Sequence, residues 1–234
     1  MKKIGIIGTG NMGRVLGLAL AKKGYQVFFG ARDLEKSKYA ASLDETTLWG
    51  NNQEAAEFGE IVYYSPRDVN PKEVLIDIKA LDGKVIIESG NWNISENLDI
   101  DDIKVSKTQI LQGQLPNSKI VKAFNTIMQE IFEYTLTDIK SHNISCFIAS
   151  DHIDAVNTVI KLSNTLGFVG VDCGSSKQAV LLEQLGSFIR VLARLRKTPW
   201  IYLSINNLDS IAKMQLGGRT ASMLHTQSNY LKST

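Results

Sequence analysis

Up to Cys173, short apolar segments alternate with amphipathic segments along the chain. The apolar segments are rich in β-branched side chains, as expected for strands that are covered on both faces. We predict strands at residues 3–7, 26–29, 60–64, 84–88, 119–124, 144–149 and 168–172. We predict helices between them at residues 11–23, 34–42, 53–57, 71–81, 107–113, 126–136 and 153–166. This alternation is typical of an α/β fold with a doubly wound, mostly parallel sheet, the Rossmann class.

After Cys173 the pattern becomes helical only. Residues 178–196 form one long amphipathic pattern that ends before Pro199, and a second helix is predicted at 200–214. The tail, residues 217–234, is polar, and we expect it to be loosely held. The chain therefore divides into a Rossmann domain at 1–175 and a small helical C-terminal region with its tail at 176–234.

The long helix at 178–196 carries more apolar surface than a lone peripheral helix needs, so we predict a homodimer that uses the C-terminal helices. Its apolar side chains are Val180, Leu181, Leu185, Phe188, Ile189 and Leu192.

Composition narrows the class of protein. The chain has 234 residues, of which 44% are hydrophobic, enough to bury a sizeable core. The net charge of +2 is too small for a nucleic-acid surface, and no apolar run approaches the ~20 residues that cross a bilayer. Glycines interrupt the apolar N-terminus, so we interpret it as a strand rather than a signal peptide and predict a cytoplasmic protein. Cys146 and Cys173 lack metal-ligand spacing, so we expect reduced thiols and no metal site.

A glycine-rich turn follows the first predicted strand, and it fits the pattern G-x-G-x-x-G. The context makes this pattern specific, because it lies between a strand and a helix within one βαβ unit. Gly8 permits the tight turn, Gly10 lets backbone N–H groups approach a pyrophosphate, and Gly13 lets the helix pack on the strand. The N-terminus of the helix then faces the negative charge. The turn, which predicts a bound dinucleotide, is Gly8-Thr9-Gly10-Asn11-Met12-Gly13.

The end of the second strand favours NADP over NAD. An NAD site presents an acid there for the ribose 2′-hydroxyl, whereas this chain presents Arg32. A guanidinium can bind a 2′-phosphate, and Lys36 and Lys38 lie close to the same corner. Asp33 is either the ribose acid or, better placed, the N-cap of the next helix. The alternative for Arg32 is a solvated surface charge.

Several motifs resemble the coenzyme F420-dependent NADP oxidoreductase family, from Met1 to about Lys197. The opening turn and the corner at 30–33 are similar to the NADP site of that family, and Ser65-Pro66 is similar to its proline loop beside the nicotinamide. The resemblance implies a doubly wound sheet with a small helical C-terminal part, and hydride transfer between NADP and a deazaflavin. Soluble domains of six-transmembrane metalloreductases share this fold and use NADPH with a flavin. The other matching stretches are Leu115-Pro116, residues 120–126, Gly167-Phe168, residues 171–174 and residues 182–186.

Two stretches depart from the pattern of that family. Arg67 stands where an aromatic residue is frequent, and residues 88–92 replace an Asn-Pro turn after the fourth parallel strand. Both border the expected cleft of the second substrate. The acceptor therefore stays open between a flavin, a deazaflavin and another small molecule.

No acid–base or nucleophilic constellation stands out, and we assign no catalytic residue. His142, His152 and His225 are interpreted as solvated or structural. Hydride transfer between stacked rings needs mainly orientation and a dry site, because the cofactor carries the chemistry. Candidates for the cleft lie at the carboxyl ends of the strands. In addition to residues of the glycine turn, these candidates are Ser65, Pro66, Ser89, Gly90, Asn91, Asn125 and Thr126.

Four residues near the expected cleft have alternative interpretations. Asn125 either orients a ring or caps a helix at 126–136. Met12 either lines the cleft or packs in the core, and Trp92 either stacks on a substrate or anchors its own loop. Lys122 lies in a strand with a buried pattern. The favoured interpretation is that its side chain extends to the surface.

Three functions compete. An NADPH-dependent oxidoreductase with a flavin, deazaflavin or other small acceptor ranks first. An imine or β-hydroxyacid type of reductase ranks lower, because Lys177 lacks the spaced glycines and the Asn that accompany the catalytic lysine of that type. The third is a non-catalytic protein that senses NADPH or binds a partner.

Overall fold

A computed structural model describes residues 2–66, 68–100 and 102–206. The chain divides into two units, Met1–Ser204 and Ile205–Thr234, and nearly all of the second unit falls outside the described residues. Among the described helices, none combines the length and apolar character that a membrane span requires.

The first unit is built on a parallel sheet. The order of its strands is β3-β2-β1-β4-β5-β6. Strands β2 and β3 lie on one side of β1, and the chain then crosses to the other side, where β4 to β6 follow. A second parallel pair, β7 and β8, joins this sheet through an antiparallel bridge between Lys122 and Ala149. The reversal creates the crevice in which doubly wound sheets bind ligands. The strands are β1 Lys3–Ile7, β2 Gln26–Gly30, β3 Leu48–Gly50, β4 Ile61–Tyr64, β5 Val85–Glu88, β6 Lys119–Lys122, β7 Ser145–Ile148 and β8 Val169–Asp172.

Helices cover both faces of the sheet and create two apolar layers. One layer packs Leu16 and Val159 against the strands, and the other packs Ala55 and Leu111. The predicted doubly wound fold is therefore confirmed, as is the helical part that follows β8. The α-helices are α1 Asn11–Ala21, α2 Leu34–Ser42, α3 Asn52–Phe58, α4 Pro71–Val74, α5 Lys107–Gln114, α6 Leu136–Ser141, α7 Ile153–Thr165 and α8 Ala179–Arg196. Short 3₁₀ helices occur at Ile78–Leu81, Gln129–Glu133 and Ser176–Gln178.

Two predicted helices are wrong in extent. The segment 71–81 is interrupted at Leu75, whose extended backbone (φ −120°, ψ 147°) ends α4 before the 3₁₀ helix begins. The segment 126–136 is not an α-helix, because Met128 is extended and only the 3₁₀ helix Gln129–Glu133 follows it. Thr135 then starts α6 by accepting a hydrogen bond from the backbone N–H of Asp138 at 3.2 Å.

The helix predicted at 200–214 is also wrong where the structure describes it. Residues 200–206 are not helical, and the carbonyl of Leu203 accepts a hydrogen bond from the N–H of Ser145 at 2.8 Å, at the start of β7. Residues 207–214 and the tail 217–234 lie outside the described residues. The boundary at 175/176 stays a prediction. Cys146 and Cys173 are free thiols, and burial raises the pKa of Cys146 to about 12.

Candidate functional site

The glycine turn joins β1 to α1 at the sheet reversal. Gly8 has φ +87°, a conformation that glycine adopts without a steric penalty. Its N–H donates to the carbonyl of Gly30 at 3.0 Å and to Oδ1 of Asn52 at 3.3 Å. The buried Asn52, which is not among the predicted site residues, thus ties the turn to α3.

The first turn of α1 is open to a ligand. Gly10 is the N-cap and provides no capping side chain, so the first N–H groups of the helix keep their capacity to bind an anion. A Cβ atom at Gly10 would meet no atom within 4 Å, whereas one at Gly13 would lie 2.5 Å from the carbonyl oxygen of Gly8. Thr9 adds a buried Oγ1 atom that has no hydrogen-bond partner among the described residues. The turn therefore has the open backbone surface that a pyrophosphate requires, and the binding of a pyrophosphate there stays a prediction.

The corner after β2 carries the predicted selectivity residues. Arg32 and Lys36 are exposed there. Asp33 is the N-cap of α2, and its Oδ1 accepts a hydrogen bond from the N–H of Glu35 at 3.2 Å. The capping role of Asp33 is thereby confirmed, which leaves Arg32 as the charged group at the strand end.

A cavity of about 450 Å³ opens beside α1, at the carboxyl ends of β4, β5 and β6. Helices α5 and α8 close its far side with Lys107 and Arg190. The structure separates the predicted site into two groups. The residues that line the cavity include Met12, Ser65, Pro66, Ser89, Asn91 and Asn125. The remaining predicted residues lie at the turn or the β2 corner and do not line it: Gly8, Thr9, Gly10, Asn11, Gly13, Arg32 and Lys36.

Two side-chain amides hold each other in the cavity wall. Asn91 donates from Nδ2 to the backbone carbonyl of Asn125 at 2.7 Å. Asn125 donates from Nδ2 to Oδ1 of Asn91 at 2.9 Å and to the carbonyl of Leu182 at 2.7 Å. Both orientations are fixed, because backbone carbonyls only accept. Oδ1 of Asn125 and Oγ1 of the neighbouring Thr126 are buried and have no partner within the described part of the chain. Asn125 does not cap a helix, so this alternative is wrong.

Hydroxyl groups lie on the β4 and β5 side of the cavity. The phenol of Tyr63 is hydrogen-bonded to Oγ of Ser89. Tyr64 donates to the carbonyl of Val69 at 3.2 Å, and burial raises the pKa of its phenol. These hydroxyl groups make this side of the cavity polar.

Charged side chains lie on the opposite wall. Lys107 pairs with Asp68, and its ammonium lies 4.0 Å from the centre of the Trp92 ring. Arg190 donates to the carbonyl of Trp92 and to Oγ of Ser187, the latter at 3.2 Å. Trp92 thus anchors its own loop, whereas Met12 both lines the cavity and packs against the core. Arg67, the predicted departure near Ser65-Pro66, lies outside the described residues.

A buried ionic cluster, which was not predicted from the sequence, lies next to the cavity. Lys122 is fully buried and bonds to Glu88 at 2.6 Å and to Glu183 at 2.8 Å. The prediction that Lys122 extends to the surface is therefore wrong. A lysine inside an apolar strand was the available signal, because it requires a buried partner if it does not reach water.

The comparisons agree with this geometry. Residues 3–91 match the family model described as NADP oxidoreductase, coenzyme F420-dependent. An F420-dependent NADP reductase of Methanothermobacter marburgensis is 29% identical over 204 residues, covering 78% of this chain and 88% of that protein. Metalloreductase STEAP2 of Mus musculus is 27% identical over 183 residues, covering 78% of this chain. This chain spans only about a third of that metalloreductase (35% of its length).

Solved structures share the fold. A candidate F420-dependent NADP reductase from Arthrobacter sp. FB24 has a TM-score of 0.75 at 21% identity, covering 88% of this chain and all of that one (100%). An imine reductase of Streptomyces aurantiacus has a TM-score of 0.58 at 16% identity, covering 83% of this chain and 64% of that one. Over residues 3–91, this chain is thus similar to the family of coenzyme F420-dependent NADP oxidoreductases.

Proposed function

We propose that the protein is an NADPH-dependent oxidoreductase that transfers a hydride between NADP(H) and a flavin, a deazaflavin or another small acceptor. One observation carries the proposal: the open phosphate turn and the cavity adjoin at α1, since Met12 belongs to the turn and lines the cavity. A dinucleotide whose pyrophosphate lies on Gly10 would place its nicotinamide in that cavity. The family match and the relatives named above support the same activity.

The residues of the site fit NADP. The N–H groups at the start of α1 would bind the pyrophosphate, with Thr9 as an additional hydroxyl. Arg32 and Lys36 would bind the 2′-phosphate at the corner after β2, since a guanidinium can present two parallel donors to it. We therefore propose NADP as the cofactor rather than NAD.

The cavity provides orientation for the reacting rings. Bound NADPH would supply the hydride, and the chain would hold the two rings in contact and exclude water. Ser65 and Pro66 would face one side of the nicotinamide, and Asn125 offers an acceptor for an amide N–H. The acceptor would occupy the remaining space, between Ser89 and the wall formed by α5 and α8.

The test is a turnover assay of the full chain with NADPH against F420, FMN, FAD, a cyclic imine and a β-hydroxyacid couple. Turnover with F420 or a flavin supports the proposal. Reduction of the imine, or turnover of the hydroxyacid, would support the alternative reductase type; against it, Lys177 is exposed and does not line the cavity. NADPH binding without turnover of any compound would favour the sensing protein.

We also propose that the protein is a homodimer. Helix α8 carries an apolar seam, in which apolar residues follow each other at alternating intervals of four and three as in a two-stranded coiled coil. Three of them are strongly exposed: Leu181 (58%), Phe188 (47%) and Leu195 (64%). A second copy is the expected occupant, because a two-fold axis places the same seam on both chains. The seam is Leu181, Leu185, Phe188, Leu192 and Leu195. From the sequence, we also expect a cytoplasmic location.

A further inference from the structure

The buried cluster of Lys122, Glu88 and Glu183 joins three elements next to the cavity. The exposed fractions of Lys122 and Glu183 are 0%, and that of Glu88 is 6%. Lys122 comes from the end of β6, Glu88 from the end of β5 and Glu183 from α8. Glu88 also lines the cavity, so the cluster borders the space that the proposed function assigns to the reacting rings.

The ammonium of Lys122 uses all three of its donors. It donates to Oε2 of Glu88 at 2.6 Å, to Oε1 of Glu183 at 2.8 Å and to the carbonyl of Gly90 at 2.6 Å. Glu88 is saturated further, because Thr108 donates to its Oε2 at 2.9 Å and the N–H of Gly90 donates to its Oε1. Both carboxylate oxygens of Glu88 therefore accept hydrogen bonds.

Glu183 is bonded on one oxygen only. Its Oε1 accepts from Lys122 and from the backbone N–H of Lys107 at 2.8 Å. Its Oε2 is buried and finds no partner in the described residues. Two carboxyl groups share one ammonium here, so ionisation of both would leave one uncompensated negative charge away from water, which is costly.

We propose that Glu183 is a neutral carboxylic acid in the folded protein, with its proton on Oε2, and that in this form it positions the acceptor wall of the cavity. The groups that face it are Lys122 from β6, Glu88 from β5 and the N–H of Lys107 from α5. The side chain of Lys107 is directed to Asp68 instead. Burial raises the pKa of Glu183, Lys122 opposes this rise, and the charge of Glu88 adds to it.

The positioning role follows from the neighbours of the cluster. Gly90 is held from both sides, since Glu88 accepts its N–H and Lys122 donates to its carbonyl. The next residue, Asn91, orients Asn125 and packs against α8 so closely that a Cβ at Gly186 would lie 2.5 Å from its Oδ1. A negative charge on Glu183 would therefore act at the contact between α8 and the turn of Gly90 and Asn91. The inference rests on the proposed function, because it assigns this wall to the reacting rings.

The first experiment tests the protonation alone. Infrared spectra of the full-length wild type and Glu183→Gln at about pH 7 should differ by the C=O band of one protonated carboxyl group, and the band should vanish as the pH rises. A raised folded-state pKa means that the folded protein binds more protons than the unfolded chain. The stability of the wild type should therefore fall as the pH rises through that pKa, whereas that of Glu183→Gln should not. Absence of the band, or a Glu183→Gln variant that is as unstable as Glu183→Ala at every pH, would overturn the proposal.

The second experiment tests positioning by calorimetry between about pH 7 and about pH 9, where the 2′-phosphate keeps its charge. Wild-type affinity for NADP should fall severalfold across this range, and that of Glu183→Gln should stay constant. Adenosine 2′,5′-bisphosphate, which lacks the nicotinamide, is the control ligand, and its affinity should be the same for both proteins at each pH. Identical NADP profiles would refute the positioning role. If neither ligand binds, the proposed function fails, while the infrared result still decides the state of Glu183.

Discussion

An alanine at Gly10 and an alanine at Gly13 should have different effects. The first should weaken NADPH binding, and the second should lower the stability of the fold. Gly10 has φ −71° and ψ −178°, which alanine adopts readily, and a Cβ there meets no protein atom within 4 Å. The poorer N-cap propensity of alanine and the lower entropy of the unfolded chain roughly cancel, so Gly10→Ala should change stability by less than about 1 kcal/mol. The methyl group would nevertheless occupy the space for the pyrophosphate. Losing one charge-assisted hydrogen bond, worth about 1.5–3 kcal/mol, would weaken NADPH binding about 10- to 100-fold.

Gly13→Ala is the matched control. Its Cβ would lie 2.5 Å from the carbonyl oxygen of Gly8 and 3.2 Å from Cγ2 of Ile6, so the helix must shift away from β1. Overpacking costs about 1–3 kcal/mol, and the gain in helix propensity returns at most about 1 kcal/mol. Urea unfolding gives the free energies, and fluorescence titration gives the NADPH affinities. Wild-type NADPH affinity in Gly10→Ala would show that the dinucleotide does not lie on this turn, and wild-type stability of Gly13→Ala would refute the packing argument.

Three further predictions concern the corner after β2, the hydrogen-bonded pair of Asn91 and Asn125, and the apolar seam of α8. Arg32→Ala should weaken NADPH binding at least about tenfold and leave NADH binding nearly unchanged, because NADH lacks the 2′-phosphate; calorimetry showing equal losses would make Asp33 the candidate ribose ligand. Asn125→Ala should abolish a preference of about 2- to 10-fold for NADP over its 3-acetylpyridine analogue, which lacks the carboxamide N–H; an unchanged preference would disprove the contact. Phe188→Glu should convert the homodimer into a monomer in light scattering, and a monomeric wild type at micromolar concentration would contradict the proposed dimer.

Local patterns were sufficient where a single element determines its own structure. The strand β1 and the helix α2 have the predicted bounds, because apolar runs and the cap at Asp33 act within a few residues. The glycine turn was predictable for the same reason, since its geometry depends on three glycines close together in sequence. The doubly wound character of the sheet was predictable from the alternation of strands and helices.

Prediction failed where distant parts of the chain decide the local structure. After β6, Phe124 has φ +61°, and the amide of Asn125 is held by Asn91 and Leu182 rather than by a helix terminus. Propensity at 126–136 favours a helix, but these long-range contacts hold the start of the segment in a turn. Short strands are a second case, because β3, Leu48–Gly50, gains its identity only from its pairing with β2.

The acceptor wall shows why the second half of such a site is hard to infer from sequence. Its members come from β5, β6, α5 and α8, and the hydrogen bond from Lys107 to Glu183 joins residues that are 76 positions apart. Glu183 looks ordinary alone, as a charged residue in an amphipathic helix, and Lys122 signals a buried partner without indicating which residue it is. Only their common burial makes them informative, because two carboxyl groups and one ammonium without water require a proton to balance the charge. In the proposed function, the dinucleotide side is thus specified by a contiguous motif, whereas the acceptor side is specified by tertiary packing.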